Sequence, residues 1–196
     1  MEVLGPYCSH RTRFAPTWRR VLAALLFCAA AGTIGEAPGE EDGYSEYDIK
    51  AAYLVNFVRY LEWPEGTFED ERSPVKLGVL GEDPFGGTLE RLVEELPAEQ
   101  RPVELVYSED ATALTACHIV FLSKRAKTDR DNVLSLLADK PILTVGEEKD
   151  FLKDGGIVNF LTLERRVKFE ISLKSAREKG LEIRAQLLKV AVKVIK

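Results

Sequence analysis

Short apolar runs that alternate with helical patterns restrict the fold of this chain more than any other feature. Strands are predicted at residues 75–80, 103–107, 118–122, 142–145, 157–161 and 167–171, and helices at residues 88–96, 129–138, 147–152, 172–179 and 185–195. Several strands are continuous apolar runs, as expected where helices cover both faces of a sheet. The alternation therefore predicts an α/β fold, a single three-layer domain with a mainly parallel sheet.

The last two predicted strands depart from this alternation. Only Glu164-Arg165-Arg166 separates them, so we expect a hairpin that adds an antiparallel edge to the sheet.

The chain of 196 residues is long enough to bury a full core without metal ions or disulfides.

The N-terminal segment predicts export. Arg19 and Arg20 precede an uncharged apolar run, residues 21–31, which is too short to span a membrane but suits a signal peptide. We expect residues 1–35 to be a signal peptide cleaved near Ala31 or Gly35, with an uncleaved N-terminal anchor as the alternative. An acidic linker, residues 36–46, would then lead into the domain at residues 47–196. After cleavage we expect no direct membrane insertion.

The first helix of the domain is apolar around much of its girth. One face carries Tyr47, Ala51, Leu54, Val55, Val58 and Leu61, and a second stripe carries Tyr53, Phe57 and Tyr60. Such a helix is either sandwiched inside the domain or presents one stripe to a partner. Trp63-Pro64 predicts its end, because a residue that precedes proline avoids helical geometry.

The stretch "LGEDPFGG", residues 80–87, lies between a strand and a helix, where nucleotide-binding folds hold phosphate. Glu82 and Asp83 would repel an anion, and Pro84 lacks a backbone donor. We expect Asp83 to cap the following helix instead, with Gly86 and Gly87 permitting close packing or a tight bend.

No pattern of catalytic or metal-binding residues stands out, so we expect neither an enzyme nor a cofactor. Cys117 and His118, the only cysteine and histidine after the signal segment, begin a predicted buried strand and are interpreted as structural. The pairs Glu94-Glu95 and Glu147-Glu148 are interpreted as solvated faces. The chain beyond residue 37 has a net charge of −7, which argues against nucleic acid or an anionic membrane as partners.

Five stretches in order resemble the YfiR family of periplasmic regulatory proteins, from residue 48 to the C-terminus. They are "IKAAYLVNFVRYLEWP", "LGVLGEDPFGG", "CHIVFLS", "PILTVGEEKDFLKDGGIVNF" and "RVKFEISLKSAREKGLEIRAQLLKVA". Two departures are visible. Ser172 stands where the family commonly has asparagine, at an expected helix N-cap that either residue can fill. The cysteine pairs of relatives thought to sense redox state are absent after the signal segment, which argues against redox control here.

The resemblance implies a non-enzymatic, often dimeric regulator that binds the periplasmic domain of an inner-membrane diguanylate cyclase and represses it. A periplasmic small-ligand module, with its ligand near the turn at residues 81–85, is the alternative. The candidate residues for a partner or dimer interface are Tyr53, Phe57, Tyr60 and Glu170. Glu170 should point away from Phe169 and Ile171, where it could pair with a basic partner group.

Overall fold

The computed structural model describes residues 44–196, so the predicted signal peptide and most of the predicted linker lie outside the described residues. Helices occupy Glu46–Phe57 (α1), Thr88–Glu94 (α2), Arg130–Leu136 (α3), Leu173–Glu178 (α4) and Ala185–Val190 (α5), with 3₁₀ turns at Val58–Tyr60 and Ala111–Leu114. Strands occupy Leu61–Glu62 (β1), Val75–Leu80 (β2), Val103–Ser108 (β3), Ile119–Leu122 (β4), Leu143–Gly146 (β5), Val158–Leu163 (β6), Arg166–Ser172 (β7), Glu182–Ile183 (β8) and Lys193–Ile195 (β9).

Seven of these strands form one sheet in the order β3-β2-β4-β5-β6-β7-β9. Every neighbouring pair is parallel except the hairpin of β6 and β7. β1 and β8 form a separate small antiparallel sheet. This arrangement confirms the predicted α/β fold and the predicted hairpin.

Two apolar clusters cover the two faces of the large sheet. On one face, α1 and α2 pack against alternate residues such as Leu77, Ile119 and Phe160. On the other face, α3 and the 3₁₀ turn at Ala111–Leu114 pack against residues such as Val120 and Leu122. The central strands are therefore buried on both sides, which explains their continuous apolar sequences.

Local capping chemistry fixes where helices begin. Ser45 Oγ accepts a hydrogen bond from the Asp48 amide (3.1 Å), and the Asp48 carboxylate accepts one from the Ser45 amide (2.9 Å). This capping box starts α1 at Glu46, one residue before the predicted domain boundary. Ser172 caps α4 through the Ser175 amide (3.2 Å), as predicted.

Three predicted helices are wrong in part or whole. The first helix ends at Phe57 and is followed by a 3₁₀ turn and β1, rather than continuing to Trp63-Pro64. Residues 147–152 form turns rather than a helix. The C-terminal helix ends at Val190 instead of residue 195, and the chain continues into β9. Because β9 pairs in parallel with β7, it lies outside the hairpin at this end of the sheet.

Candidate partner-binding surfaces

The second stripe of α1 packs mainly on the sheet. The Tyr53 ring lies 5.2 Å from the Phe169 ring and 6.0 Å from the Phe160 ring, between ring centroids. Phe57 stacks on Phe160 at 6.0 Å and is 0% exposed. Phe57 therefore cannot contact a partner directly, which corrects its place in the predicted interface. Tyr53 and Tyr60 are half-buried and remain candidates.

Glu170 points away from the core, as predicted. Its neighbours Phe169 and Ile171 are both 0% exposed, whereas Glu170 is half-buried on the opposite face of the sheet. Asn159, its cross-strand partner, donates a hydrogen bond from Nδ2 to Glu170 Oε1 (3.3 Å). The structure therefore places Glu170 and α1 on opposite faces of the sheet, as two separate surfaces.

A groove of about 270 Å³ surrounds Glu170. Its apolar lining is Leu152, Leu161 and Ile195, and its polar lining is Lys149, Asp150, Lys153, Asn159, Glu170 and Lys193. None of the residues that line the groove belongs to a helix of the described chain: Lys149, Asp150 and Leu152, which were predicted to be helical, lie in turns. The groove is therefore open to a partner.

A buried ion pair connects α1 to the carboxyl end of β5. Lys50 Nζ lies 2.6 Å from Glu147 Oε2, and the two side chains are only 3% and 1% exposed. Glu147 Oε1 also accepts hydrogen bonds from Tyr47 Oη (3.2 Å) and the Lys124 amide (3.0 Å). The interpretation of Glu147 as part of a solvated face is therefore wrong. Its position directly after a buried strand was the available signal.

Two small cavities lie at the carboxyl ends of the parallel strands. One, of about 110 Å³, is lined by residues that include Thr128, Arg130 and Phe151, and the other, of about 280 Å³, includes Gly81 and Arg125. This is the crevice where open α/β sheets commonly hold ligands. Arg130 lines the smaller cavity, where its guanidinium donates hydrogen bonds to the Asp154 carboxylate (2.6 Å) and the Lys149 carbonyl (3.0 Å).

The turn at residues 81–87 is organised by Asp83, although not as a helix cap. Its carboxylate accepts hydrogen bonds from the Phe85 amide (2.8 Å) and the Gly86 amide (3.2 Å), whereas the N-cap of α2 is Gly87. Gly86 and Gly87 have positive φ, and a Cβ added at either would meet no atom within 4 Å, so these glycines serve the tight bend rather than close packing. Phe85 is buried against Tyr47 and Phe121.

Cys117 and His118 have structural environments, as predicted. Cys117 is 4% exposed, and burial raises the pKa of its thiol to about 11. His118 Nδ1 accepts a hydrogen bond from the Lys76 amide (2.9 Å), and its ring stacks on Phe68 at 4.6 Å. Within residues 44–196, no three His, Cys, Asp or Glu side chains are grouped to hold a metal ion.

Comparison with known protein families identifies the family of this chain. The sequence profile described as YfiR/HmsC-like matches residues 47–192, and the chain belongs to that family. The family is periplasmic and regulatory, and it acts in cyclic di-GMP signalling. In the described part of the chain, no helix is long and apolar enough to cross a membrane.

A solved structure has a related fold. It is a conserved domain protein from Vibrio cholerae O1 biovar El Tor str. N16961, with a TM-score of 0.53 and 11% sequence identity. The match covers 76% of this chain and 60% of the Vibrio chain. At this identity the similarity concerns the fold alone.

Proposed function

We propose that this protein binds the periplasmic domain of an inner-membrane diguanylate cyclase and holds the enzyme inactive, which lowers cyclic di-GMP. The observation that carries the proposal is family membership over residues 47–192, nearly the whole described domain. The protein acts by binding rather than by catalysis. Export by the N-terminal segment would bring it to the compartment of its partner.

Repression requires binding that favours the inactive state of the cyclase. Moving a two-state equilibrium from almost fully active to almost fully inactive takes a differential affinity of roughly 5 kcal/mol. An interface of standard size, about 1,600 Å², can supply this if a few anchor residues are well buried.

The two separated surfaces allow two contacts at once. The exposed edge of Tyr53 and Tyr60 lies on one side of the sheet, and Glu170 lies on the other. The cyclase can therefore occupy one surface while a second copy of this chain occupies the other.

Genetic epistasis tests the proposal. Deleting the gene should raise cyclic di-GMP and surface attachment, and deleting the cyclase as well should cancel that rise. A single deletion that leaves cyclic di-GMP unchanged would contradict repression.

A small-ligand module is the second candidate, and the cavities at the carboxyl ends of the strands favour it. Calorimetry with pooled periplasmic metabolites would then give saturable binding that Arg130→Ala weakens. This result, combined with unchanged cyclic di-GMP in the deletion strain, would replace the repressor proposal.

A further inference from the structure

Charge is distributed very unevenly along this chain. Residues 165–196 contain ten Lys and Arg but only three Asp and Glu, a net charge of +7. Because the whole chain has a net charge of −5, the remainder carries −12. The average charge therefore does not describe the surface at the β6–β7–β9 end of the sheet.

Cross-strand pairing gathers part of this positive charge on one uncovered surface. In the hairpin, Leu161 lies opposite Lys168, Leu163 lies opposite Arg166, and Asn159 lies opposite Glu170. Side chains alternate between faces along a strand, so these pairs share the face opposite Phe160 and Phe169. We call the surface formed by Leu161, Leu163, Arg166, Lys168 and Glu170 the hairpin face.

Three further lysines border the hairpin face. Lys193 of β9 lies opposite Glu170, and Lys149 and Lys153 line the groove beside them. Among the described residues, Lys153 is paired with Asp150, whereas Lys149, Arg166, Lys168 and Lys193 form no ion pair. The surface and its border thus carry more cations than carboxylates, which are those of Asp150 and Glu170.

Apolar side chains lie among these charges. Leu163 is 48% exposed, and Leu161, Leu152 and Ile195 line the groove. A surface that joins aliphatic side chains to unpaired cations complements a partner that offers carboxylates around an apolar anchor. Glu170 alone would favour a basic partner group, but its neighbours reverse that preference.

We propose that the hairpin face binds an acidic protein segment that inserts an apolar side chain into the groove beside Leu161. The inference rests on the proposed function in one respect, because the cyclase's periplasmic domain is the partner expected to carry that segment. The concave groove favours a protruding protein side chain over a flat lipid surface.

Site-specific photo-crosslinking in cells tests the location and the partner's chemistry. A photoreactive residue at Leu163 should form an adduct with an Asp- or Glu-rich segment of a periplasmic protein. The same residue at Leu136 on α3, which is 41% exposed, is the matched control and should not form it. An adduct with phospholipid, with a segment lacking acidic residues, or no adduct at Leu163 would overturn the inference.

Charge reversal separates this inference from the proposed function. With the purified periplasmic domain of the cyclase, Lys168→Glu combined with Lys193→Glu should weaken binding at least about tenfold, since like charges now face each other. Lys127→Glu combined with Lys174→Glu changes the net charge equally at exposed sites away from the hairpin face and should change binding by less than about twofold.

The two failures are distinguishable. If the cyclase binds and both double variants bind equally well, the hairpin face is not the contact and the repressor proposal stands. If the cyclase does not bind at all, the repressor proposal fails. In that case the adduct formed at Leu163 tests the hairpin-face proposal, which requires the crosslinked segment to be rich in Asp or Glu. Asp→Lys or Glu→Lys changes in that segment should then restore its binding to the charge-reversed variant Lys168→Glu with Lys193→Glu.

Discussion

Lys50 and Glu147 show how strongly single residues depend on tertiary partners. Removing one member of a buried ion pair leaves the other desolvated and unpaired, which typically costs about 3–5 kcal/mol. We therefore expect Lys50→Met to lower the free energy of unfolding by about that amount. Urea denaturation followed by circular dichroism measures it.

The double variant Lys50→Met with Glu147→Gln provides the internal check. A glutamine can still accept hydrogen bonds from Tyr47 and the Lys124 amide, so the double variant should be more stable than Lys50→Met alone. Lys153→Met, which disrupts an exposed pair with Asp150, should cost less than about 1 kcal/mol. Equal losses in the buried and exposed pairs would contradict this account.

His118 makes the stability of the domain depend on pH. Burial lowers the pKa of His118, and the nearby cations Lys76 and Arg101 add to the shift. The unfolded chain therefore takes up this proton at higher pH than the folded chain, near the ordinary pKa of about 6.5. The stabilisation is complete above that pH and is lost as pH falls towards the lowered pKa.

We expect the free energy of unfolding to decrease from pH 7 to pH 5, as measured by urea titrations at each pH. Because the other histidine is His10, in the predicted signal segment, His118→Gln should remove most of this slope in the mature protein. An unchanged slope in the variant would assign the pH dependence to carboxylates instead.

At the scale of the element, the backbone of the turn between β6 and β7 is strained. Glu164 and Arg165 form its two-residue turn with φ of 50° and 62°, values that favour glycine and asparagine. We expect Glu164→Asn with Arg165→Gly to stabilise the domain by about 1 kcal/mol or more. Thermal unfolding measures the gain, and Glu164→Val with Arg165→Val, which places β-branched residues at the same φ, should show the opposite sign.

The C-terminal segment illustrates why short elements are hard to predict. Helical periodicity at residues 185–195 predicts one helix, yet three of the six residues after Val190 are β-branched. The segment forms β9 because β7 offers an open edge at Glu170, Ile171 and Ser172. Pairing with a distant strand overrides local propensity here.

At the scale of the whole molecule, the apolar N-terminal segment predicts that the domain is exported. We expect intact-mass measurement of protein from the periplasm to show a chain that begins near Gly32 or Glu36. A full-length chain recovered from the cytoplasm would contradict export.

The sequence by itself determined the positions of the main strands and the hairpin. Continuous apolar runs such as residues 75–80 must be buried on both faces, and that requirement is local. Only the tertiary structure decided three further features: the order of the strands, the burial of Phe57 and Glu147, and the cations around Glu170. Each depends on which distant segments pack together, and a residue's own neighbours in the chain do not specify those contacts.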